Sequence, residues 1–220
     1  MRYDFHTHSF LSDGASHPLE VAYRAKQAGH RAIAITDHAG LTDARHLVPR
    51  LAKECEAATE SFGLLVVPGV ELTYVPPRRI GAAANAARRA GAVIVIVHGE
   101  TLNGPTPKGT NAAAVRAAGV DVLAHPGLIS KRDAEAAAGN GVFLEVSSKV
   151  NHSLANGHVV RAAQGAGARL LVNSDTHTPE MLLSEARARQ IAAGAGLSGR
   201  ALEDALVSSP RALLKRHGLG

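Results

Sequence analysis

Short, nearly unbroken apolar runs alternate along the chain with longer amphipathic stretches rich in alanine. The runs near residues 2–6, 31–36, 64–71, 92–98, 120–125, 142–147 and 169–174 predict strands. Segments such as RAIAIT at 31–36 and VIVIV at 93–97 are continuously apolar, as are strands covered on both faces of a parallel sheet. The intervening stretches, near 18–29, 43–62, 81–90, 110–118, 131–139, 153–166 and 179–193, predict helices, and a further helix is expected over 199–216. Gly29, Gly63, Gly91, Gly119, Gly141 and Gly167 each stand just before a strand, where a helix C-cap or an αβ turn takes left-handed backbone. No linker or low-complexity segment interrupts the repeat, so one domain is expected over 1–220 with the last helix packed on it. Seven strand–helix units with right-handed crossovers close into a barrel. An open doubly wound sheet shares the same alternation and must be decided by where the chemistry falls.

Composition narrows the class. Aromatic residues make up 3% of the chain and tryptophan is absent, so the core must be built from alanine, valine, leucine and isoleucine. No apolar run approaches the roughly 20 residues that cross a bilayer. Asp4, His6 and His8 interrupt what would be the apolar region of a signal peptide, and a cytoplasmic protein is expected. The lone cysteine, Cys55, excludes an internal disulfide and falls on a core-facing helical pattern. The net charge of +5 is compatible with anionic partners, but arginines such as Arg88, Arg89, Arg187 and Arg189 are scattered on helices and read as a solvated face.

The positions of the histidines and acids change the picture. His6 and His8 close the first predicted strand, with Asp13 in its loop; Asp37 and His38 close the second, Glu71 the third, His98 the fourth and His125 the fifth. Glu145 lies near the end of the sixth, and Asp175 and His177 close the seventh. In a parallel barrel all these ends open onto one face. An open sheet would scatter them along an edge, so the pattern favours the barrel. Carboxylates buried together need compensating positive charge, and imidazole with carboxylate oxygen suits zinc, manganese or iron.

The motifs F-H-T-H-S at 5–9, S-D-G at 12–14, I-T-D-H at 35–38, P-G-V-E at 68–71, V-H-G-E at 97–100, A-H-P-G at 124–127 and S-D-T-H at 174–177 resemble those of the PHP (polymerase and histidinol phosphatase) superfamily. The resemblance implies an α/β fold, a distorted seven-stranded (β/α)7 barrel of the TIM type, with two or three divalent metal ions. It implies nine ligands: His6, His8, Asp13, His38, Glu71, His98, His125, Asp175 and His177. By the same analogy Glu71 bridges two metals, one also held by His6, His8 and Asp175 and the other by His98 and His125; Asp13, His38 and His177 hold a third. Glu71, Asp175 and His177 are the expected catalytic groups.

The function so implied is hydrolysis of a phosphomonoester, histidinol phosphate or a related small metabolite, by a metal-activated hydroxide. Alternatives are a nuclease acting on DNA or RNA ends and a non-catalytic RNA-binding subunit like that of ribonuclease P. Nucleic acid is the less favoured partner, since no aromatic and basic track is evident. Substrate contacts are expected from Lys149, which can pair with phosphate, from Asn151 and His152, which can hydrogen-bond it, and from Lys108 and Arg78 in neighbouring loops. Asp37 and Glu145 are candidates to orient histidines, Asp37 being as readily a helix cap or loop acceptor, and Glu100 is similarly ambiguous. His17, His30, His46, His158 and His217 read as surface or helix residues.

Overall fold

In a computed structural model, which describes residues 2–219, the apolar runs become parallel strands and the amphipathic stretches cover them. The first half contains β1 (Arg2–Thr7), α1 (Pro18–Gln27), β2 (His30–Ile35), β3 (His38–Ala39), α2 (Ala44–Phe62), β4 (Leu65–Leu72) and α3 (Ile80–Arg89). It continues through β5 (Ile94–His98), α4 (Thr110–Ala114), β6 (Val122–Ala124), α5 (Lys131–Asn140), β7 (Phe143–Ser147), α6 (Asn156–Ala166) and β8 (Leu170–Asn173). Helices α7 (Glu185–Gly194), α8 (Gly199–Glu203) and α9 (Ser209–Arg216) complete it. Seven strands run in the order β1-β2-β4-β5-β6-β7-β8, all pairs parallel, and the two-residue β3 pairs with β4.

The barrel is nearly closed, and its seam lies between β8 and β1. Only one backbone bridge, Thr7 to Thr176, crosses it among the described residues outside the named strands. Side chains do the rest. Arg2 donates to the Val172 carbonyl at 3.0 Å, the Phe5 amide donates to Asn173 Oδ1 at 3.0 Å, and the Ser174 amide donates to Asp4 Oδ1 at 3.1 Å.

The strand pleat explains why apolar and ionisable residues share a strand. Val67, Ile94, Ile96, Phe143 and Leu171 pack together inside the barrel. Two residues further on along each strand, the same face carries Gly69 then Glu71, His98, Glu145 and Asn173. The alternate residues, such as Val70, Val95, Val97, Leu144 and Val172, face outward into the helical layer, where small alanines let the helices approach closely. The barrel thus has an apolar floor and an ionisable upper layer. All six glycines expected before strands take positive φ, from 59° to 106°.

Three helical boundaries differ from expectation. The helix expected at 179–193 begins at Glu185, because Ser184 caps it by accepting from the Arg187 amide at 3.2 Å, while Pro179–Met181 form a separate single turn. The helix expected at 110–118 ends at Ala114 and continues as turns. The helix expected over 199–216 is three segments, with a wide π turn at Asp204–Ser208 between α8 and α9. Pro210, at the start of α9, cannot donate into the preceding turn, which accounts for the break. No described helix is long and apolar enough to cross a membrane.

Candidate metal centre

Strand ends bring the nine expected ligand residues into one cluster. Glu71 stands at its middle. Its Oε2 lies 3.2 Å from His6 Nε2, 3.5 Å from His8 Nε2 and 2.9 Å from His38 Nδ1, and its Oε1 lies 3.5 Å from His125 Nε2. Asp175 reaches across the seam, with Oδ1 3.3 Å from His8 Nε2 and 3.7 Å from His6 Nε2. Asp13 Oδ2 lies 3.2 Å from His177 Nε2 and 3.6 Å from His38 Nε2. The potential donor atoms fall into four overlapping groups: His6, His8 and Asp175; His6, Glu71 and His125; His8, Asp13, His38 and His177; and His98, His125 and His152.

Backbone irregularities aim these side chains. Phe5 faces the barrel interior, so a regular strand would turn His6 away. Between Asp4 and Thr7, however, β1 advances three residues while β2 advances two. That slip turns His6 and His8 toward the cluster, as bulges beside active sites re-aim side chains. His125 and Asp175 hold positive φ values of 26° and 54°, and the third such non-glycine residue, Tyr74 at 55°, is also beside the cluster. Its ring stacks on His98 at 6.4 Å. Non-glycine residues in this region carry strain that the surrounding structure must hold. Gly99 is required by closeness: a Cβ there would come within 2.2 Å of the Ala124 carbonyl oxygen, blocking the approach of the loops after β5 and β6.

The surrounding polar groups set ring orientation. Glu145 Oε1 lies 2.8 Å from His6 Nδ1 and accepts from Asn173 Nδ2 at 2.9 Å, while its Oε2 accepts from the His125 amide at 3.1 Å. With Nδ1–H given to Glu145, His6 turns the lone pair of Nε2 toward Glu71 and Asp175. Thr73, which the sequence reading missed, binds His38 Nδ1 at 2.6 Å; it sits just past the end of β4, two residues beyond Glu71. Asp37 touches no histidine. It accepts from the Ser9 amide at 2.8 Å, the Ser9 hydroxyl at 2.7 Å and the Ser12 hydroxyl at 2.6 Å, so it ties down the loop that carries Asp13. Glu100 likewise organises a loop, accepting from the Gly109 and Asn111 amides at 3.0 Å each.

The acids and imidazoles of the cluster act strongly on one another: against burial, Glu145, Glu71 and Asp175 raise His6 well above its ordinary value, and Glu71 and Asp13 raise His38. Burial would raise the Glu71 carboxyl, but the facing His6, His125 and His38 imidazoles outweigh it and hold it well below the carboxylate range. Burial and then His6, His8 and His125 act on Asp175 with the same net result. Burial pushes His8 down to about 4. Among the described residues, eight buried side-chain nitrogen or oxygen atoms lack a hydrogen bond, and six belong here: His6 Nε2, both ring nitrogens of His8, both Glu71 oxygens and His125 Nδ1. Buried polar atoms are ordinarily satisfied. Imidazole nitrogens and carboxylate oxygens that converge in a buried space without hydrogen-bond partners are what divalent cations would satisfy, and the residues therefore fit such ions.

The residues expected to touch substrate separate into two sets. Lys149 enters the cluster, with Nζ 3.2 Å from Asp175 Oδ1 and 3.2 Å from each ring nitrogen of His177. His152 stacks on His125 at 4.1 Å, and burial followed by the neighbouring His125 pushes it down to about 4. Asn151 is exposed and is held through its carbonyl, which accepts from Asn103 at 2.8 Å. Lys108 and Arg78 are exposed on loops after β5 and β4 and make no contact with the cluster.

The sequence matches the PHP domain family over residues 4–164. It is 44% identical over 218 residues to the uncharacterized protein MJ1295 of Methanocaldococcus jannaschii, covering 98% of this chain and all of that protein. It is 29% identical over 201 residues to the DNA polymerase/3'-5' exonuclease PolX of Bacillus subtilis, covering 81% of this chain but 35% of PolX. Among solved structures, the fold resembles histidinol phosphate phosphatase from Lactococcus lactis, crystallised with zinc, L-histidinol and phosphate. The TM-score is 0.63 at 14% identity, with 90% of this chain and 94% of that one covered. The chain belongs to the PHP domain family.

Proposed function

We propose that the chain is a cytoplasmic, metal-dependent phosphomonoesterase that hydrolyses a small phosphorylated metabolite, with histidinol phosphate as one candidate. The observation that carries this reading is the set of six buried, unpartnered donor atoms around Glu71. His6, His8, Asp13, His38, Glu71, His98, His125, Asp175 and His177 would hold two or three zinc, manganese or iron ions. Such ions lower the pKa of coordinated water and offset charge on phosphate oxygens. Around them, the chain's own groups have separable tasks. Glu145 fixes the His6 ring, Asp37 fixes the Asp13 loop, and Lys149 offers the cluster's ammonium group to a phosphate oxygen.

The surface around the cluster favours a small substrate over a polynucleotide. Binding to a polynucleotide rests on cationic side chains that track successive phosphates. Here the five most exposed large apolar side chains among the described residues, Tyr74, Leu102, Leu128, Val150 and Leu154, all lie in loops leaving the C-terminal ends of β4 to β7. A rim of this kind suits an organic leaving group better than a phosphodiester backbone. A screen of the metal-loaded protein against histidinol phosphate, other phosphomonoesters, mononucleotides and single-stranded oligonucleotides tests the proposal. Chelator-sensitive phosphate release from a monoester is expected; hydrolysis confined to oligonucleotides would overturn it.

A further inference from the structure

His152 lies outside the ligand set that the strand-end motifs imply. It comes from the loop between β7 and α6 rather than from a strand end. Its ring nevertheless enters the cluster deeply, with its side chain only 10% exposed. It lies parallel to His125 at 4.1 Å and edge-on to His98 at 5.8 Å, and these two rings are themselves 4.5 Å apart. One donor nitrogen from each of the three lies within 4.8 Å of the others.

The polar contacts assign the inward-facing nitrogen of His98 and of His152. His98 Nδ1 lies 3.1 Å from the Gly99 carbonyl, which can only accept, so Nδ1 carries the proton and Nε2 the lone pair. His152 Nδ1 is bound to Thr101 Oγ1 at 2.8 Å, and its Nε2 points the other way, 3.8 Å from Asp175 Oδ2 and too far for a hydrogen bond. A second tie, from Asn103 Nδ2 to the Asn151 carbonyl at 2.8 Å, joins the same two loops. The loop after β5 therefore holds the loop after β7 in place, and with it the orientation of the His152 ring.

We infer that His152 is a tenth metal ligand, completing a three-histidine site with His98 and His125, and that Thr101 is the residue that positions it. The inference rests on the proposal that the cluster binds divalent ions. Three imidazoles beside the shared Glu71 give this position more nitrogen donors than the group of His6, His8 and Asp175. Imidazole donors favour zinc and cobalt over manganese, so this position should discriminate between them more than the group of His6, His8 and Asp175 does. In the ligand role, His152 Nδ1–H would donate to Thr101 Oγ1 and leave Nε2 as the ligand atom, as with the hydrogen-bond acceptors behind metal-bound histidines.

The test is reconstitution with Co(II), read by ion count, affinity and visible absorption. His152→Ala is expected to bind one cobalt ion at least about tenfold more weakly and to change the visible spectrum, with the remaining ions retained. Thr101→Val is expected to weaken the same ion about tenfold through a ring that has lost its hydrogen-bond partner, and Thr101→Ser to restore it. Wild-type affinity, stoichiometry and spectrum in a folded His152→Ala or Thr101→Val protein would overturn the inference while leaving the metal centre standing. A wild-type chain that binds no cobalt would overturn both.

Discussion

At the residue scale, the cluster depends on groups outside its candidate ligands. The clearest is Glu145, whose single carboxylate engages the His6 ring, the Asn173 amide and the His125 backbone. Glu145→Gln preserves size but removes the full negative acceptor behind His6. Metal affinity should fall about 10- to 100-fold, measured by competition with a chromophoric chelator. Unchanged affinity would mean that His6 is held by packing alone. Much of this was legible in the sequence, because H-x-H, D-H, G-V-E and D-T-H place ionisable residues where a parallel strand must end. Thr73 and Thr101 were not legible. A threonine in a loop carries no sequence mark of its use, and only the fold brings Thr101 to a histidine 51 residues away.

At the scale of elements, periodicity and turn chemistry located the strands and most helices, since continuous apolar runs ending in left-handed glycines have few other uses. What escaped was set by tertiary context. The two-residue β3 is apolar in neither period and exists because it pairs with the end of β4, His38 opposite Glu71. The slip in β1 has no sequence signature, yet without it His6 would face the wrong way. The π turn before Pro210 and the late start of α7 reflect capping and proline effects that the 3.6-residue pattern does not report. Arg88 was read as part of a solvated face. Instead it binds Asp121 and the Val93 and Gly119 carbonyls beneath the barrel, because β6 places an acid next to the end of α3.

At the scale of the whole molecule, the barrel separates a cation-binding upper layer from a floor that contains its own buried polar group. His30, expected as a surface or helix residue, is buried at the start of β2, where Nδ1 bonds the Ala25 carbonyl at 3.0 Å. Burial pushes it down to about 4, opposed by Asp4 and reinforced by Arg2. An unfolded imidazole titrates near about 6.5, so between these values the unfolded chain binds more protons. The His30 contribution is therefore whole above about pH 6.5 and declines as pH falls toward 4, by roughly 3 kcal/mol in all. Denaturant unfolding between pH 7.5 and 5 should show wild-type stability falling more steeply than that of His30→Gln, which cannot titrate. Parallel curves would remove His30 from the account.

The unpartnered imidazole and carboxylate atoms around Glu71 are proposed to form a centre for divalent ions used in phosphomonoester hydrolysis. Elemental analysis of the purified chain, repeated after incubation with zinc or manganese and dialysis, tests it most directly. Two or three divalent ions per chain are expected, removed by chelator together with phosphomonoesterase activity. A folded chain that holds no divalent ion and takes up neither metal would contradict it.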